Sequence, residues 1–213
     1  TTLDEKFLIL KYEKDYFTIS NTVRGFYKNI IECRLDEKPN YKIENELIRT
    51  LKSFLINKNI NLSLLSELLS MPNFAEIESE MENIDPLKIY KTIDELNNLL
   101  GSKLKKELYF KIQEIEKNLH KVWPEGVHER KLMETVWKLL LHSNDEEIRR
   151  KIIVYVKSNS MTLAKAALNS ISRIACPERQ TISNIFFNKW KNNSVVLDSW
   201  FSFNASIETD KKT

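Results

Sequence analysis

His128-Glu129 begins a pattern that could carry metal chemistry. A zinc peptidase centre places two histidines four apart on one helix face, with a glutamate beside the first as general base. Position 132 is Leu132, so the second ligand is missing, and His120 and His142 have no ligand spacing either. All three histidines read as surface or helix-end residues. Gly25, Gly101 and Gly126 are the chain's three glycines and never lie closer than 25 residues. That excludes a phosphate-cradling loop and a Gly-x-Ser-x-Gly nucleophile elbow. Cys33 and Cys176 read as small buried apolar residues rather than nucleophiles. Arg149-Arg150-Lys151, with Tyr155 beyond it, is the densest basic run, but Asp145-Glu146-Glu147 stands beside it. A solvated helix face explains that run more simply than a nucleic-acid patch. Trp137, Trp190 and Trp200 fall on apolar stripes and read as core. The chain is expected to hold no catalytic, cofactor-binding or metal-ligating residue of its own.

Composition narrows what could position such residues. A length of 213 residues with 42% hydrophobic and 10% aromatic side chains is that of a folded globular chain. Three glycines are too few for turn-rich all-β or most α/β folds, which need many positive-φ positions. The fold class is therefore expected to be all-α. The net charge of +3 announces neither a nucleic-acid nor a membrane partner. Two cysteines far apart fit a reducing compartment, and no apolar run approaches the ~20 residues of a membrane span. No signal peptide opens the chain, and Thr1-Thr2-Leu3 reads as a cut boundary. A cytoplasmic location is the expectation.

Along the chain, residues 3–13 read as strand-like, with Phe7-Leu8-Ile9-Leu10 as a short apolar run. From Thr18 the period becomes helical: Val23, Phe26, Tyr27, Ile30 and Ile31 fall at i, i+3, i+4, i+7 and i+8. Helices are expected over 43–57 and 62–70, with another starting at Asn73 with Glu76 in capping-box position. Asp85-Pro86 is a helix start, N-cap then Pro at the first turn. The stripe from Ile89 to Leu119 keeps one period throughout and, unbroken, predicts a helix roughly 50 Å long. Beyond Pro124-Glu125-Gly126 the helices are short. Ser143 with Glu146, Ser160 and Pro177 are expected to start three of them, and the last begins near Val195. This punctuation predicts paired antiparallel helices stacked as in HEAT or armadillo solenoids.

Met161-Thr162 opens an alanine-rich stretch, Ala175-Cys176-Pro177-Glu178-Arg179 follows, then Lys189-Trp190 and Val195-Val196-Leu197-Asp198-Ser199-Trp200-Phe201. This succession resembles the C-terminal helical domain of the aminopeptidase N family of gluzincin zinc aminopeptidases. Asp15-Tyr16-Phe17 is similar to the Asp-x-Phe turn at the family's junction between a small β domain and the helical domain. Leu68-Leu69-Ser70-Met71-Pro72, Ile84-Asp85-Pro86 and Arg130-Lys131-Leu132 match further family helix boundaries. Departures are Leu163, where the family has Asp, Asn204, where it has Gln, and Thr18 to Arg24, which lack an Arg-Trp pair.

The resemblance implies a domain truncated at both ends. Residues 1–16 would be the end of a preceding β domain or a linker, and 17–213 an incomplete helical domain. It implies a parent enzyme that removes N-terminal residues from peptides, with zinc and every catalytic residue bound outside this chain. The chain would wall the active-site cavity and limit substrate access, with the parent's catalytic domain and peptide substrates as partners. An interrupted solenoid would expose Trp200 and Phe203 as a self-association surface. Two other readings stay open. One is a free-standing α-solenoid that binds a peptide or protein on its concave face. The other, an RNA-associated helical protein, is disfavoured by the near-neutral charge.

Overall fold

In the computed structural model, residues 2–79 and 85–206 are described, and among them every regular element is helical. Contacts divide the chain into two compact units, residues 1–111 and 112–213.

The first unit is built around α2 (Tyr16–Leu35), against which α1 (Leu3–Tyr12), α3 (Tyr41–Ile56), α4 (Leu62–Leu69) and α6 (Pro86–Lys103) all pack. The predicted i, i+3, i+4 set on α2 is its buried face, from Val23 to Ile31. Burying these side chains together with Leu51 and Leu55 of α3 and Leu65 and Leu68 of α4 supplies the main stabilisation, about 1.5–3 kcal/mol for each large apolar group. Polar bonds set the register. Tyr27 donates its hydroxyl to the Leu68 carbonyl at 2.9 Å, and burial holds that phenol well above its usual pKa. Arg34 grips the buried Glu44 with two parallel bonds of 2.7 and 3.0 Å. The short α5 (Phe74–Glu78) is capped by Asn73, which accepts from the Glu76 amide while its own amide donates to the Glu76 carboxylate. Asp85 caps α6 with Pro86 in the first turn, as its dipeptide predicts.

Two expectations for this unit are corrected. Residues 3–13 are not strand-like: Leu3 to Tyr12 form α1. Thr2 and Glu5 make a reciprocal capping box, and Leu3, Phe7 and Leu10 recur at a helical i, i+4, i+7 spacing. The contiguous run Phe7-Leu8-Ile9-Leu10 hides that period, because a short apolar run reads equally as strand or helix. Tertiary packing decides it: Phe7 stacks on Phe26 at 4.3 Å and Leu10 is buried. The long helix predicted from 85 to 119 is also interrupted. α6 ends at Leu104 (φ −102°, ψ 3°), and α7 (Lys105–Ile115) then runs across the 111/112 boundary before a 3-10 turn at Glu116–Asn118. The apolar stripe stays buried throughout, at Leu104, Leu108, Ile112, Ile115 and Leu119. Gly101 lies inside α6 and is not the break.

The second unit holds α8 (Val127–His142), α9 (Glu146–Tyr155), α10 (Met161–Ser170), α11 (Glu178–Trp190) and α12 (Ser194–Ala205). Each helix packs on its successor and on the next but one, α8 on α10, α9 on α11 and α10 on α12. That is the contact pattern of stacked helix pairs in an α-solenoid. The pairing of α8 with α10 is the most extensive, because Ala164, Ala166 and Ala167 let the two backbones approach. Ser160 caps α10 as expected. Ser143 does not open α9. It ends α8, and Asp145 is the cap, accepting from the Ile148 amide at 3.0 Å. Asn144 (φ 65°) makes the turn between Ser143 and Asp145.

Candidate functional site

Three of the residues in the succession that carried the family resemblance, Lys189, Arg179 and Trp200, are structural clamps. Lys189, on α11, directs its ammonium at the turn that ends α9. It donates to the Lys157 carbonyl at 2.5 Å, the Ser158 carbonyl at 2.7 Å and Asn159 Oδ1 at 2.9 Å. The one ammonium thus ties together the turn just past α9, near a helix C-terminus where the dipole also favours a cation. Trp190 beside it is half-buried and lies at 6.4 Å from the Phe186 ring.

Arg179 and Trp200 join α11 to α12. The Arg179 guanidinium, buried at the start of α11, donates to the Phe203 carbonyl at 3.0 Å and lies 4.4 Å over the Phe203 ring. Trp200 donates its indole N–H to Ser183 Oγ at 2.9 Å, and Asn204, two positions past the Trp-Phe stretch's Ser202, donates to the Trp200 carbonyl at 2.7 Å. Phe203 is therefore buried and Trp200 half-buried, which corrects the expectation that these two form an exposed apolar end. The exposed apolar side chains of α12 are Val195 and Phe201 instead. Spacing placed the last two aromatics correctly on a helix but could not show which side α11 covers.

The remaining candidates are scattered. His128 is exposed at the start of α8, and Glu129 accepts from the Asn118 amide at 3.2 Å. His120 is exposed and stacks on Tyr155 at 6.3 Å. Among the described residues no group of three or more His, Cys, Asp or Glu could hold a metal ion. Cys33 and Cys176 are unpaired and half-buried, not fully buried as expected. Burial raises the Cys176 thiol pKa, the wrong direction for a nucleophile. Arg149, Arg150 and Lys151 are spent on their own surroundings: Asn144, the Glu146 carbonyl, and the Glu116 and Glu147 carboxylates. Trp137 is buried, as its stripe predicts, and its ring lies 4.8 Å from Tyr155.

One polar feature was missed. Glu134, Lys138 and His142 recur every four residues on α8, a polar stripe set between buried apolar positions, and Asn169 and Arg173 answer it with the same spacing. Burial raises the Glu134 carboxyl pKa, opposed by a bond to Asn169 and by the charges of Lys138, Lys165 and Lys131. Burial, with the nearby charges of Lys138 and Arg173, lowers His142 to about 4. The signal was legible as polar residues at i, i+4 and i+8 within an otherwise core-facing helix.

His142 makes stability depend on pH in a defined direction. A histidine whose folded pKa is depressed stays neutral in the fold while the unfolded chain takes up the proton. Its contribution is complete above about 6.5 and is lost as pH falls from there toward about 4, by at most about 3 kcal/mol. Glu134 acts with the opposite sign, losing its contribution as pH rises through its elevated folded value. Urea unfolding at pH 7 and pH 4.5 should show the loss, and His142→Gln should remove most of the slope across that window. An unchanged slope in that variant would show that His142 is not the group responsible.

Stacked helix pairs joined by side chain-to-carbonyl clamps define a helical-repeat scaffold domain. Residues 3–213 match the family described as a domain of unknown function with ARM repeats (DUF3458_C), and the chain belongs to that family, the C-terminal domain of aminopeptidase N. It is 25% identical over 159 residues to aminopeptidase N of Escherichia coli K12, covering 73% of this chain and 18% of that protein. It is 22% identical over 184 residues to aminopeptidase N of Haemophilus influenzae, covering 86% and 21%. Its fold is similar to that in the crystal structure of Legionella pneumophila aminopeptidase A in complex with aspartic acid. The TM-score is 0.80 at 19% identity, over 96% of this chain and 25% of that one. The chain thus spans about a fifth of the length of the curated relatives it matches. No helix among the described residues is long and apolar enough to cross a membrane.

Proposed function

We propose that this chain is the helical part of a zinc-dependent aminopeptidase that removes N-terminal residues from peptides. In that enzyme it walls the active-site cavity and limits which substrates enter, with the catalytic domain and the peptide substrate as its partners. The observation that carries the reading is the family match over residues 3–213, together with two aminopeptidases N among its relatives. The described residues do not fit a zinc centre: His128 faces solvent and the position four on is the buried Leu132. In this reading the zinc and its general base are held by polypeptide outside residues 1–213, and this chain supplies no catalytic step. Its work is to hold a shape, which is what the clamps of Lys189, Arg179 and Trp200 accomplish. Two unpaired cysteines support a reducing, cytoplasmic setting.

The test is an assay of the complete polypeptide and of residues 1–213 on an aminoacyl chromogenic substrate and on peptides of increasing length. The complete protein should turn over the substrate, lose activity to a chelator, and cut short peptides while sparing folded proteins. Residues 1–213 should give no turnover. A complete polypeptide without activity would overturn the reading and favour a free-standing peptide-binding solenoid.

A further inference from the structure

The first unit carries a groove of about 680 Å³ between α1 and α3, two helices that both pack on α2. Its floor is apolar, made by Phe7, Leu8 and Ile43, and Leu8 stands exposed there, at 54% of its full surface. Its rim is mainly basic: Lys11, Lys42 and Arg49 stand around it with Glu46, whose carboxylate pairs with Arg49. An apolar trough of this size edged by cations is built for an occupant that buries hydrophobic side chains and carries carboxylates at its margins.

A second copy docking face to face fits poorly, because Lys11, Lys42 and Arg49 of one copy would meet the same three cations of the other. The relatives point to a different source. About four-fifths of the length of the aminopeptidases N lies outside the region this chain matches. We propose that the α1–α3 groove seats an acidic amphipathic segment from the remainder of the same longer polypeptide, its apolar side chains on Phe7, Leu8 and Ile43 and its carboxylates against Lys11 and Lys42. This rests on the reading of the chain as one part of a larger aminopeptidase. It adds which surface receives the rest of the enzyme and by what chemistry.

The groove is tested in the complete polypeptide by cysteine labelling mapped to position. Leu8→Cys reports on the trough, and Leu87→Cys, on an exposed site of α6 outside it, is the reference. Both side chains are exposed, so neither change disturbs the core. Position 8 should react with a maleimide about tenfold more slowly than position 87, at every protein concentration. Adding Lys11→Glu and Lys42→Glu should raise its rate several-fold, most at low salt. Equal rates at positions 8 and 87 would overturn the proposal. So would protection that vanishes on dilution, the mark of a second copy, or protection indifferent to the charge reversals. Peptidase activity measured on the same samples separates the two claims. Rapid labelling with full turnover removes the groove proposal alone, and slow labelling without turnover removes the aminopeptidase reading alone.

Discussion

Arg130→Met is expected to lower the stability of the second unit by about 3–5 kcal/mol, the cost of stripping a buried cation from several partners at once. The guanidinium is buried at the first turn of α8 and donates to three carbonyls of the chain that leads into it. The bonds are 3.1 Å to Leu119, 2.9 Å to Lys121 and 3.2 Å to Glu125. Those carbonyls have no helix to satisfy them, so the side chain takes the place of a ladder. Gly126 makes the arrangement possible. Its φ of 70° suits glycine, and a Cβ there would lie 2.6 Å from both Arg130 Nη1 and the Asn118 carbonyl. Arg130→Lys should recover little, since the three carbonyls are set around both terminal nitrogens of a planar fork, which a single ammonium on a shorter reach does not reproduce. Urea unfolding followed by tryptophan fluorescence measures both variants. A wild-type midpoint for Arg130→Met would show that the clamp contributes nothing.

Trp137→Ala should cost a similar amount, about 3–5 kcal/mol, by opening a cavity too well framed to collapse. Trp137 is among the largest fully buried side chains, and its ring meets Tyr155 at 4.8 Å. Tyr155 in turn donates its hydroxyl to Glu116 at 2.5 Å and stacks on His120, so the indole supports the end of α9 and the turn before α8 together. Trp137→Phe should lose only part of that, about 1–2 kcal/mol. Because Arg130 braces the same stretch from Leu119 to Glu125, the double variant should fall short of the sum of the single losses. Strict additivity would mean that the two supports are independent.

Both predictions concern rigidity, which is the property a cavity wall needs. A side chain such as Lys189 does not touch substrate under the proposed function, yet its three bonds hold the α9 end against α11. Under the proposal above, the groove between α1 and α3 is where the rest of an enzyme attaches.

Much of the fold was readable from residue order alone, because helix starts and helix faces are local properties. Asp85-Pro86, Asn73 with Glu76, and Ser160 cap where their types require, since a side-chain acceptor reaches amides only two or three residues on. The all-helical class followed from three glycines and a period near 3.6, and the aminopeptidase resemblance lay in the succession from Met161 to Phe201. What spacing could not settle was every question about a partner distant in the chain. Residues 3–12 became a helix because Phe26 was there to receive Phe7, and Phe203 was covered because Arg179 reached it from 24 residues away. The helix carrying the stripe from Ile89 to Leu119 is interrupted at Leu104 with no local mark. The half-buried state of His142 likewise depends on α10 lying against α8. Hydrogen bonds within a turn are written in neighbouring residues, whereas burial and charge pairing belong to whichever element packs opposite, and only the folded chain names it.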